Sequence, residues 1–119
     1  MTKQKIIIDC DPGIDDTLAL LYALKHPNLE VVAITIVAGN CPTDIGVKNT
    51  FTSLELLDRL DVPVYQGAST PLTRDYISAQ DTHGMDGLGE NNFQLKHTPH
   101  IQDKSAEQFL ADYFKTPTD

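Results

Sequence analysis

Apolar residues in this chain come in short runs separated by polar turns, and the runs alternate between two periods. Ile6-Ile7-Ile8 is a β-branched run that predicts a strand buried on both faces, as in a parallel sheet. Asp11-Pro12-Gly13 breaks it, and Asp15-Asp16-Thr17 opens a predicted helix to about Lys25. Its apolar face is read as Leu18, Leu21 and Tyr22, with Ala19 and Leu24 at the margins. The run Val31 to Val37 is the strongest strand signal, closed by Gly39-Asn40. Pro42 is placed as the first residue of a second helix, whose stripe Val47, Phe51, Leu54, Leu57 runs to about Leu60. Pro63-Val64-Tyr65 predicts a third, short strand.

Residues 67–102 show no periodicity and carry Gly67, Gly84, Gly87, Gly89, Pro71 and Pro99; so long a stretch reads as a mobile functional loop. Ser105-Ala-Glu-Gln108 resembles a capping box, and Ala106, Phe109, Leu110, Tyr113 and Phe114 form one face of a last helix. The order β-α-β-α-β-loop-α implies an α/β fold, an open and mostly parallel sheet with helices on both faces and strand order 3-2-1. In such sheets ligands bind at the carboxyl ends of the strands, where Asp9–Asp16 and Gly39-Asn40 fall.

Composition narrows the partners. With 9 basic and 17 acidic side chains the net charge is −8, which argues against nucleic acid or anionic membrane as the main partner. No apolar run approaches the roughly 18 residues needed to span a bilayer. Two cysteines, Cys10 and Cys41, are too few for a disulfide framework, so the default setting is a reducing cytoplasm.

The chemistry concentrates in Asp9-Cys-Asp-Pro-Gly-Ile-Asp-Asp16, four carboxylates within eight residues at a strand-to-helix turn. Asp9 and Asp11, two apart in extended chain, point the same way, and Pro12-Gly13 returns Asp15 and Asp16 beside them. Helix-dipole stabilisation of about 1 kcal/mol or less per carboxylate does not offset their repulsion. A hard divalent cation does: calcium, with its six to eight oxygen ligands, or magnesium, which prefers fewer protein ligands. The plain alternative is helix-capping aspartates facing solvent.

This pattern, with Thr-Leu-Ala-Leu after it, resembles the N-terminal signature of the inosine–uridine-type nucleoside hydrolases. Ile36-Val-Ala-Gly-Asn40 and His83-Gly-Met-Asp-Gly-Leu-Gly89 continue the resemblance in order. It implies calcium-dependent hydrolysis of ribonucleosides to free base and ribose by a cytoplasmic homo-oligomer, dimer or tetramer. By position, Asp11 binds the metal and acts as general base, and Asp16 is a bidentate ligand. Asp9 supports the metal from beside it. Asp15 holds the ribose 2′-hydroxyl, Asn40 lines the ribose and water pocket, and His83 lies near the base. The sugar passes through an oxocarbenium-like state, and inverting attack by water needs no covalent intermediate.

Blander readings stand beside these. Asn40 alone is a turn residue, His83 alone a surface histidine, and His97/His100 lack a third metal ligand. Asp9-x-Asp11 after an apolar strand also resembles the haloacid-dehalogenase phosphatases, but Pro12-Gly13 departs from that family's pattern. The remaining alternative is an inactive metal-binding fragment, because the family's other metal ligands and its leaving-group acid have no counterpart in these residues. The chain taken alone is therefore expected to show little hydrolase activity. Robust calcium-dependent inosine hydrolysis by the purified 119-residue chain would overturn that expectation.

Overall fold

A computed structural model describes residues 3–39, 42–68, 79–89, 94–97 and 99–115. The order is β1 (Gln4–Cys10), α1 (Ile14–Lys25), β2 (Leu29–Ile36), α2 (Thr43–Leu56), β3 (Val64–Gln66), α3 (Gln80–His83) and α4 (Ala106–Tyr113). The three strands form one parallel sheet ordered β1-β2-β3, as the alternation of elements requires. Every predicted element is present within a few residues. Pro42 stands one position earlier than read, as the N-cap of α2. The single turn α3 lies inside the stretch where no period was legible.

The period of two along the strands assigns the helices to faces. Cys10 pairs with Ile36 and Ile8 with Ile34. Ile36 reaches Gly46 of α2, where a Cβ would sit 3.1 Å from its Cγ2. Gln66 Nε2 donates to Thr43 Oγ1 of α2 at 3.0 Å. Tyr65, one residue off, faces the other way and stacks on Phe109 of α4 with ring centroids 4.0 Å apart. Helices thus cover both faces. The core is built from Leu20, Ile34, Ile36, Leu54 and Val64, all fully buried, with Val47 and Phe51 of the predicted α2 stripe.

Two packing expectations are corrected. β1 pairs with β2 alone among the described residues, and Ile6, Ile7 and Ile8 are half-buried rather than covered on both faces. The register also slips between Ile6 and Ile7, leaving Val32 as an extra residue on β2. In α1 the buried residues are Leu20, Ala23 and Leu24, while Leu18 and Tyr22 are 64% and 67% exposed. The segment Leu-Ala-Leu-Leu-Tyr-Ala-Leu is apolar all round, so periodicity could not choose a face. The crossover onto β2 and α2 chose it. Consequently Leu20→Ala is expected to cost about 2–5 kcal/mol and Leu18→Ala to stay within about 0.5 kcal/mol. Urea unfolding of the two variants checks this, and equal costs would refute the assignment.

Candidate active site at the carboxyl end of the sheet

The site begins where β1 runs out. Cys10 is the last strand residue, and Pro12-Gly13 turn the chain into α1. Asn49, buried within α2, donates from Nδ2 to the Pro12 carbonyl at 2.9 Å and so ties the turn to the second helix. The backbone N–H of Asp11 donates to Asp16 Oδ2 at 3.0 Å, closing the turn on itself. Asp11 and Asp16 are both half-buried, whereas Asp15 beside them is exposed.

This packing sets the electrostatics. Burial, then the hydrogen-bonded carboxyl of Asp11, push Asp16 up to about 6, against the lowering pull of the Asp11 amide; the charges of Asp11 and Asp15 add to the rise. Burial, then the charges of Asp16, Asp9 and Asp11, push the Cys10 thiol up to about 12. Cys10 is therefore an unreactive buried thiol.

Asp9 is placed differently from its neighbours. It pairs with Thr35 across the strands, and its Oδ1 accepts a hydrogen bond from Thr35 Oγ1 at 2.6 Å. Asp9 and Thr35 fall on the sheet face opposite Cys10, Ile36 and α2, since facing alternates along each strand. The fourfold carboxylate cluster is thus resolved into a close pair, Asp11 and Asp16, with Asp15 adjacent and Asp9 beside it on another partner.

Two glycines complete the arrangement. A Cβ on Gly39, at the end of β2, would overlap the Asp11 carboxylate and lie 2.7 Å from its Cβ and Cγ. A Cβ on Gly13 would lie 2.6 Å from His83 Nδ1, and that nitrogen accepts a hydrogen bond from the Ile14 backbone N–H at 3.1 Å. His83 thus sits at the N-terminus of α1, beside the carboxylate turn although about 70 residues away in sequence. The loop bearing it closes on itself through Gly89 N–H to the His83 carbonyl, 2.7 Å, and Gly87 N–H to the Gly84 carbonyl, 3.0 Å. Gly84, Gly87 and Gly89 all have positive φ, which a side chain would oppose.

Asn40 and Cys41 lie outside the described residues. Thr35 and Asn49 were missed from the sequence, while Gly39 was placed at the strand end without its contact to Asp11. A lone threonine inside Val-Val-Ala-Ile-Thr-Ile-Val was the available signal for the first; Asn49 lies off the predicted apolar stripe and carried none. His97 Nδ1 stands 3.5 Å from Glu55 Oε1, so its neighbour is a carboxylate of α2.

Among the described residues no group of three or more His, Cys, Asp and Glu side chains could hold a metal ion. The Asp11–Asp16 pair nonetheless has the donor chemistry of a hard divalent cation: two carboxylates crowded together and partly desolvated. Two carboxylates would make up part of the six to eight oxygens that calcium takes.

Fold and site together define an α/β protein with an acidic strand-end site. The family model for inosine-uridine preferring nucleoside hydrolases matches residues 6–118, and the chain belongs to that family. It is 38% identical over 112 residues to probable uridine nucleosidase 2 of Oryza sativa subsp. japonica, covering 93% of this chain and 33% of the relative. It is 52% identical over 88 residues to the pyrimidine-specific ribonucleoside hydrolase RihA of Shewanella baltica, covering 74% and 27%. The purine-preferring ribonucleoside hydrolase from Gardnerella vaginalis superposes with a TM-score of 0.82 at 36% identity, over 94% of this chain and 36% of that one. The chain therefore spans about a third or less of the relatives it matches.

The Asp16 shift carries a pH signature. Its folded pKa lies above the unfolded value of about 4, so the folded chain holds a proton that the unfolded chain releases between pH about 4 and about 6. That contribution to stability is fully present below about pH 4 and is lost as pH rises through about 6. Asp61 and Asp112, lowered by Arg59 and Lys104, act in the opposite sense, so the readout is a difference. Without divalent cations, Asp16→Asn is expected to gain stability on the parent between pH 4 and 7 in urea unfolding. Parallel pH profiles of parent and variant would refute this.

Proposed function

We propose that the protein carrying this chain hydrolyses the N-glycosidic bond of ribonucleosides to free base and ribose, with calcium held in part by Asp11 and Asp16. The observation that carries the reading is the crowded, half-buried Asp11–Asp16 pair at a parallel strand end, in a chain of the nucleoside hydrolase family. Calcium, when bound, supplies Lewis acidity that makes a coordinated water easier to deprotonate.

The chain's own residues do the rest. Asp11 accepts the proton of the attacking water as its oxygen bonds to the sugar C1′ and the bond from C1′ to the base nitrogen breaks. Asp15, exposed in the first turn of α1, is free to accept a hydrogen bond from the ribose 2′-hydroxyl. Asp9, held by Thr35, supports the metal from beside it. His83 faces the base, and Asn40 belongs to the ribose contacts. The departing base takes its proton from an acid outside this set. The relative at 52% identity is named as pyrimidine-specific, which favours a pyrimidine ribonucleoside over a purine one. A cytoplasmic homo-oligomer belongs to the same reading.

A reading as a haloacid-dehalogenase-like phosphatase loses support. It makes Asp9 the nucleophile, and Asp9 is engaged by Thr35 on the face away from α2.

The test is a chimera in which this chain replaces the matching segment of Shewanella baltica RihA. It is expected to release base from uridine and cytidine in the presence of calcium. Asp11→Asn in the chimera is expected to lower kcat by about 10²–10⁴-fold from loss of the base alone. A folded chimera without hydrolysis of any ribonucleoside, or a near-normal rate for the variant, would sink the proposal.

A further inference from the structure

We infer that Gly13 and the Ile14 amide form a seat that fixes the tautomer and orientation of His83, making Gly13 a positioning residue for a side chain on a distant loop. The use of His83 in hydrolysis rests on the function proposed above; the seat itself does not.

The geometry carries this in three steps. First, the Ile14 N–H is one of the unsatisfied donors at the start of α1, and Gly13, the N-cap, offers no side chain to receive any of them. His83 Nδ1 receives this one at 3.1 Å. An imidazole nitrogen that accepts is unprotonated, so the proton of neutral His83 sits on Nε2. The ring is left with a single polar function, an Nε2–H donor, and cannot accept from a ligand.

Second, the ring fills the space that a side chain at 13 would take. Gly13 has φ −101° and ψ −146° at the start of α1. A Cβ there would lie 2.6 Å from Nδ1 and 3.1 Å from both Cγ and Cε1 of His83. Three ring atoms so close mean that the missing side chain at 13 is the space the imidazole occupies. The ring ends a short two-torsion side chain, so with alanine at 13 it is the ring that gives way, and the Ile14 donor loses its acceptor.

Third, the loop is shaped to deliver the ring. His83 ends α3, where its N–H bonds to the Ala79 carbonyl at 2.9 Å. Gly84 follows with φ 89°, and Gly89 N–H returns to the His83 carbonyl at 2.7 Å. Leu88 lines a surface cavity with Ile14, Leu18 and Leu21 of α1 and Leu56 of α2, which places the loop beside the same helix.

The test uses the 119-residue chain and needs no turnover, so its outcome is independent of whether the chain's protein is a hydrolase. The 15N pattern of the His83 ring is expected to show the Nε2–H tautomer alone. His83→Ala is expected to speed hydrogen exchange at the Ile14 amide roughly tenfold, the loss of one net hydrogen bond. His83→Asn, whose side-chain oxygen falls near the Nδ1 position, should restore protection, and His83→Gln should not. Gly13→Ala is expected to return the ring to mixed tautomers and to lower the urea midpoint, and to lower it far less in a His83→Ala background. A mixed or Nδ1–H ring in the parent, an unchanged Ile14 amide in His83→Ala, or additive Gly13 and His83 effects would overturn the inference. Should Gly13→Ala not fold, the Asn and Gln variants still decide it.

Discussion

The hydrogen bond from the Asp11 N–H to Asp16 Oδ2 joins the end of a strand to the first turn of a helix, and the site depends on that closure. It holds the turn Asp11-Pro-Gly-Ile-Asp-Asp16 tight enough for two carboxylates to share one half-buried space. The same bond stabilises the ionised form of Asp16, yet burial and the Asp11 carboxyl outweigh it. A turn that gathers anions and then partly removes their water is costly without a counter-ion. Asn49 and the helix start bear that strain from outside, one through the Pro12 carbonyl and the other through the dipole of α1.

The turn is also the meeting point of segments remote in sequence, and glycine makes each meeting possible. Gly39 ends β2 against the Asp11 carboxylate; Gly13 starts α1 against the His83 ring. In both cases the space of the absent side chain is filled by a polar one from elsewhere. Parallel pairing of β1 with β2 brings Gly39 to Asp11, and the closed loop after α3 brings His83 to Gly13. The position of each chemical group thus traces back to the sheet order and to a vacancy the size of a methyl group.

Much of this was legible in the sequence where a single interaction decides. The α/β alternation, the α2 stripe and the Ser105 cap were readable because period and capping are local. Even there the capping box formed by half: Ser105 accepts from the Gln108 N–H, but Gln108 Nε2 turns forward to Asp112. The buried face of α1 was not readable, because an all-round apolar helix takes its orientation from the sheet it crosses. Nor was the split of the four carboxylates: it depends on Thr35, which lies across a strand pairing rather than along the chain. The seat of His83 needed a loop closure that no period announces.

The acidic turn also decides what kind of attack the site can support. A thiol at this turn would have to ionise beside Asp9, Asp11 and Asp16. Cys10 is the nearest candidate, and burial with those charges pushes its thiol to about 12, far from a reactive thiolate at neutral pH. The field that silences the thiol favours a cation and disfavours the formation of a further anion beside it. A neutral molecule deprotonated only as it reacts escapes that penalty, since its proton passes to a carboxylate already present and no new anion has to persist. For the function proposed above, this field favours water over a thiolate as the attacking species.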